Sequence, residues 1–129
     1  MDKTPLIPVS WGEVIDKITI LEIKEQRISG EAALRNIGNE LSALREIVEA
    51  QGDALEVIAD LVDRLREVNL RLWDVEDAIR LKERDGAFDA DFVQLARSVY
   101  VENDERSAIK RDINRITSSA LVEERSYRN

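Results

Sequence analysis

Four polar side chains, Asn69, Glu76, Glu102 and Arg106, stand where a three-four apolar spacing calls for leucine or isoleucine. Buried without partners, such groups cost several kcal/mol each, so they must pair with one another, reach water or meet a ligand. Neighbouring positions enlarge the group: Trp73, Asp77 and Arg80 near the first pair, then Arg97, Tyr100, Asn103 and Lys110 near the second. Asp16 and Lys17 are available from the N-terminal part of the chain. Two kinds of chemistry suit this set. One is an anion-binding pocket inside a helical bundle, lined by Arg97, Arg106 and Lys110 and oriented by Asn69, Asn103 and Glu76, with Lys17 and Tyr100 at its edges. The other is a structural ion-pair network that binds nothing.

Composition narrows the chemistry further. The 129 residues include neither His nor Cys, which removes the commonest general base near neutral pH, the thiolate nucleophile, the disulfide and the usual transition-metal ligands. Acidic pairs three residues apart, Glu22 with Glu25, Glu46 with Glu49, Asp60 with Asp63 and Asp74 with Asp77, could hold Mg²⁺ on one helical face. With 27 acidic residues in the chain they are expected by chance and read as solvated faces, so no metal and no cofactor is expected. The formal charge of −8 argues against nucleic acid and anionic membranes as partners. Residues 104–129, with six basic and five acidic side chains, are the one part suited to face an anion. No apolar run reaches the roughly 20 residues of a membrane span, and no signal peptide is evident, so a cytoplasmic protein is expected.

The elements that must position these groups are all helical. Ser10, with Glu13 three residues on, forms a capping box that starts a helix over about residues 11–28. Trp11, Val14, Ile15, Ile18 and Leu21 make one apolar stripe, and Ile20 and Ile23 a second beside it, so this helix needs neighbours on two sides and reads as central. Ser29-Gly30 breaks or bends it. Leu34, Ile37, Leu41, Leu44 and Val48 then form the seam of a second helix that ends near Gln51-Gly52-Asp53, with Asp53 placed to cap the next helix. That third helix is expected over residues 54–84. Asp85-Gly86 marks a turn, and Asp89 caps a last helix carrying Phe92, Leu95, Val99, Ile109, Ile113 and Ile116; Asn103-Asp104 could divide it in two. Residues 1–9, which hold both prolines, read as an extended lead-in packing through Leu6, Ile7 and Val9. Residues 118–129 read as a short helical tail. Short loops make neighbours antiparallel. The expected fold is therefore a single all-α domain, 1–129, an elongated antiparallel bundle of four to five long helices that forms a homodimer.

Three segments carry a resemblance: Pro8-Val-Ser-Trp-Gly-Glu-Val-Ile-Asp-Lys-Ile-Thr-Ile-Leu-Glu-Ile-Lys24; Asn69 with Leu72-Trp-Asp-Val-Glu-Asp-Ala-Ile-Arg80; and Phe88 to Asn114, containing Leu95-Ala-Arg-Ser-Val-Tyr100 and Ile109-Lys-Arg-Asp-Ile-Asn114. Together they resemble the bacterial family of unknown function DUF6165 over nearly the whole chain, to Glu123-Glu-Arg-Ser-Tyr127. The resemblance implies one intact domain and no chemistry. Two functions are compatible with the residues. The first is a non-catalytic, dimeric helical module that binds an anionic small molecule or a protein partner. The second is a small His-free enzyme, whose plan resembles the all-helical chorismate mutases in its long first helix and in Phe88-Asp-Ala-Asp-Phe-Val-Gln-Leu95. Those enzymes hold a dicarboxylate with buried Arg and Lys, which the first helix here matches with no more than Lys17 and Lys24. A Mg-dependent nucleotide pyrophosphohydrolase acting through the acidic pairs is a further alternative.

Overall fold

The Ser10 hydroxyl accepts a hydrogen bond from the Glu13 backbone N–H at 3.3 Å and opens α1, Trp11–Arg27. Lys24 and Arg27 in its last turn complement the negative end of the helix dipole. The capping box closes on one side only, because the Glu13 carboxylate turns instead to Lys110. The computed structural model describes residues 4–118; the tail expected over 118–129, all but Ser118, and the first three residues of the lead-in lie outside the described residues.

Gly30, at φ +110°, takes a backbone conformation that a side chain would strain, and it ends the break after α1 so that α2, Glu31–Glu49, can fold back. The expected third helix begins differently from its seam. Residues Gly52–Ile58 form a 3-10 segment, and α3 starts only at Ala59 and runs to Arg84. Asp53 caps neither element by its side chain. The tight segment places Ile58, which is fully buried, beneath the bundle. Asp89 then accepts from the Phe92 N–H at 2.9 Å and starts α4, Ala90–Thr117, as one unbroken helix. Asn103-Asp104 does not interrupt it.

Helix α1 packs against α2, α3 and α4, as expected of a central helix. Ile15 enters a cluster with Ile58, Leu65, Val68, Leu72, Ile109 and Ile113; Val14, Ile18 and Leu21 face Ile37 and Leu41 of α2. Trp11 touches both clusters. The division differs from the one expected: the first stripe is itself split between the two sides, since successive residues such as Val14 and Ile15 lie about 100° apart around a helix. Ile20, assigned to the second stripe, is only half-buried.

The lead-in also departs from expectation. Leu6, Ile7 and Val9 are exposed rather than packed, and they form one wall of a groove of about 680 Å³ over Val14, Leu44 and Ile47. Among the described residues, no helix lies on the far side of that segment to cover it. Helices α3 and α4 make the most extensive contact in the molecule. At 26 and 28 residues they are about 39 and 42 Å long. Yet no residue between Leu72 and Ile109 is buried, so the closed end of this hairpin stands as a two-helix arm. No strand occurs among the described residues, and none of the described helices is long and apolar enough to cross a membrane.

Candidate functional site

Asp16, in the second turn of α1, is the centre on which the polar residues converge. It is 4% exposed, sitting between Ile15 and Ile18 on the packed side of the helix. From α4, Arg106 donates Nε to Asp16 Oδ1 at 2.9 Å and Nη2 to Oδ2 at 2.5 Å, a two-pronged pair. From α3, Asn69 donates Nδ2 to Asp16 Oδ1 at 2.9 Å and to Thr19 Oγ1 at 2.9 Å, and Thr19 donates in turn to the Asp16 backbone carbonyl at 2.8 Å. The Lys110 ammonium lies 3.8 Å from Asp16 Oδ2 and 2.6 Å from Glu13. One turn further on, Asn114 accepts the Gly12 N–H at 2.7 Å, a donor that the first helical turn leaves without a backbone partner. Three helices are thus joined through one carboxylate.

Burial by itself would push the Asp16 carboxyl up. Hydrogen bonds from Arg106 and Asn69, with the charges of Arg106 and Lys110, outweigh it and hold the group below the usual carboxylate range. The same hydrogen bond to Asp16 raises Arg106 above its ordinary value, against the effect of burial. No buried side-chain nitrogen or oxygen among the described residues lacks a hydrogen-bond partner. The node is closed and satisfied.

Beside the node, between α1, α3 and α4, lies a cleft of about 250 Å³ lined by Ile20, Lys24, Asn69, Leu72, Trp73, Glu76, Asn103 and Arg106. Four of the sequence candidates meet here: Asn69, Glu76, Asn103 and Arg106. Arg106 lines it, and its Nη1 makes a single hydrogen bond, to Asn103 Oδ1, long at 3.5 Å. The Lys24 side chain makes no hydrogen bond or ion pair among the described residues, so its ammonium is free to face the cleft.

The other candidates go elsewhere. Lys110 is held by Glu13 and Asp16. Lys17 pairs with Glu40 of α2 at 2.9 Å, on the side of the apolar groove. Arg97 and Tyr100 are exposed on α4, with Arg97 about 13 Å along the helix from Arg106, and their side chains make no hydrogen bond or ion pair among the described residues. The seam position Glu102 is answered by Arg71 at 2.9 Å, which also reaches Glu105 at 3.2 Å. Most of the acidic pairs have cationic partners: Arg45 and Arg66 on Glu22, Arg66 on Asp63, Arg27 on Asp74 and Arg80 on Asp77. No group of three potential metal ligands occurs among the described residues.

Sequence reasoning noted Asp16 only as available and missed Thr19, Asn114 and Gly12. The sign of Asp16 was a carboxylate flanked by apolar stripe positions, and the sign of Asn114 was its place directly after Ile113 on the buried seam. Comparison with known proteins places the chain without adding chemistry: the family of unknown function DUF6165 matches residues 6–129, and the chain belongs to that family. No curated protein and no solved structure matches it.

Proposed function

We propose that this member of DUF6165 is a non-catalytic binding module that takes a small anionic molecule in the cleft between α1, α3 and α4. The observation that carries this reading is the cleft itself, where Asn69, Glu76 and Asn103 from α3 and α4 share the lining with an arginine that Asp16 pins from behind. A guanidinium fixed on one edge loses little freedom when a carboxylate or phosphate docks on its other edge, so binding there is pre-organised. Lys24 supplies the second positive group, Trp73 and Leu72 an apolar wall, and Asn103 an amide. Glu76 on the rim adds a condition: the ligand must offer a hydroxyl or ammonium donor as well as its anion, because a bare polyanion would meet a carboxylate.

The same geometry weighs against a chorismate-mutase-like activity. A dicarboxylate needs two uncompensated cations; the free edge of Arg106 can hold one anionic group although Asp16 offsets its charge, and Lys110 is taken up by Glu13 and Asp16. Among the described residues, Lys24 is left as the one uncompensated cation beside the cleft.

Isothermal titration of the wild-type chain with hydroxy acids, amino acids and sugar phosphates tests the proposal. One class should bind, and Lys24→Ala should weaken it by about tenfold or more, the value of one charge-assisted hydrogen bond. Binding unaffected by both Lys24→Ala and Asn103→Ala would place the ligand elsewhere and overturn it.

A further inference from the structure

The cleft between α1, α3 and α4 takes its open acceptors from one helix and its open donors from the other two. Asn69 of α3 is 5% exposed, and both hydrogens of its Nδ2 are spent inside the node, on Asp16 Oδ1 and Thr19 Oγ1. Its Oδ1 accepts no hydrogen bond among the described residues. Since no enclosed polar atom among them lacks a partner, that oxygen is open from outside, and the cleft is the opening that Asn69 lines. Two turns further along the same face of α3, Glu76 lines the cleft with a carboxylate that makes no hydrogen bond or ion pair among the described residues. It lies near enough for its charge to help hold the proton on Arg106. The donors belong to α1 and α4: the Lys24 ammonium, the Asn103 Nδ2, which donates to nothing among the described residues, and the Arg106 Nη1, with its single long bond.

Granted the anion-binding reading on which it rests, we propose that the ligand of this cleft is a free α-amino acid with an aliphatic side chain. Its carboxylate meets the donors of α1 and α4, and its ammonium the acceptors of α3. A plain carboxylic acid docked here would take water from the Asn69 Oδ1 and from Glu76 and return no donor to either, which costs binding energy. A hydroxyl brings one donor and no charge, whereas an ammonium brings three donors and the positive charge that answers Glu76. A phosphate ester asks for more positive charge than the cleft holds. Arg106 is offset by Asp16, Lys24 is the one cation there without a partner among the described residues, and Glu76 opposes a second negative charge. Size points the same way. At about 30 Å³ for each water-sized group, a cleft of about 250 Å³ holds roughly eight of them, the scale of one small amino acid and well short of a nucleotide. Ile20, Leu72 and the ring of Trp73 supply the apolar lining for the side chain.

Isothermal titration with L-leucine, the hydroxy acid of the same carbon skeleton and the plain carboxylic acid of that skeleton is the test. The wild-type chain should bind L-leucine at least about tenfold more tightly than the hydroxy acid, the margin of a charge-assisted hydrogen bond over a neutral one. Glu76→Gln keeps the size of the side chain and removes its charge, so the preference for the amine over the hydroxyl should shrink by about tenfold. Glu76 is exposed, and thermal melting checks that the variant folds as the wild-type chain does. A hydroxy acid bound as tightly as L-leucine, or a sugar phosphate bound in its place, with that binding weakened by Lys24→Ala, would overturn the amino acid and leave the anion site standing. A preference for L-leucine that survives intact in Glu76→Gln would overturn it equally. Binding of none of these compounds would overturn the anion site and the amino acid together.

Discussion

Asp16 and Arg106 stand 90 positions apart in the chain and meet in a two-pronged hydrogen-bonded pair, with the carboxylate buried and the guanidinium partly open to solvent. The pair crosses from the second turn of α1 to the middle of α4 and recruits Asn69 from α3, so it sets the register of all three helices. Truncating the arginine leaves a buried carboxylate without its main partner. Arg106→Ala should therefore lower stability by about 3 kcal/mol, the low end of the range for a broken buried pair, because Lys110 remains 3.8 Å away. Urea unfolding measures it, and a loss below about 1 kcal/mol would show that the pair is dispensable.

The same pair gives the fold a defined response to acid. Asp16 is held below its ordinary value in the folded state, so between the two values the unfolded chain binds more protons than the folded one, and stability rises with pH there. Its contribution is complete above about pH 5 and is lost as pH falls through the depressed native value. Asp89, lowered by the Lys82 ammonium and by the Phe92 N–H, acts in the same direction but is solvent-exposed and screened. Melting curves from about pH 7 down to about pH 3, spanning the ordinary carboxylate range, should show a shallower fall for Asp16→Asn than for the wild-type chain. Parallel slopes would remove Asp16 from the account.

Much of this architecture was legible in the sequence, because helix spacing and caps are local. Ser10, Gly30, Gly86 and Asp89 each act within a few residues, and they mark where helices start and stop. The partners of Asp16 were not legible, because pairing across 53 and 90 positions depends on how α3 and α4 are rotated, and periodicity leaves rotation open. The 3-10 segment was hidden for a related reason. Leu55 and Ile58 are apolar at helical spacing, and their packing beneath α3 and α4 is equally served by a tighter turn. The exposed lead-in failed the expectation drawn from composition, since apolar residues bury only where another element is present to cover them.

Gly12 offers a test of how closely α1 and α4 approach. A Cβ at this position would lie 2.8 Å from Asn114 Oδ1 and 2.8 Å from the Lys110 carbonyl oxygen. Alanine is otherwise the better helix former by about 1 kcal/mol, so propensity predicts a gain. Packing predicts a loss of about 1 to 3 kcal/mol, because the neighbour includes backbone and cannot swing away. The loss should win, and Gly12→Ala should melt below the wild-type chain. A higher melting point would mean that the two helices separate at little cost.

Ile109 and Leu95 lie on the same seam of α4, yet the first is fully buried and the second only half-buried on the arm. Removing the Ile109 side chain beyond Cβ leaves a cavity among Ile15, Leu65 and Ile113, and Ile109→Ala should cost about 2 to 5 kcal/mol. Leu95→Ala leaves no enclosed cavity and should cost distinctly less in the monomer. Native-state hydrogen exchange extends the contrast to the backbone, because local opening is easiest where few apolar contacts are lost. At low protein concentration, amides of residues 75–100 should exchange through openings of lower free energy than those around Leu65 and Ile109. Uniform protection along both helices of the hairpin at every concentration would contradict the arm as a separately opening unit.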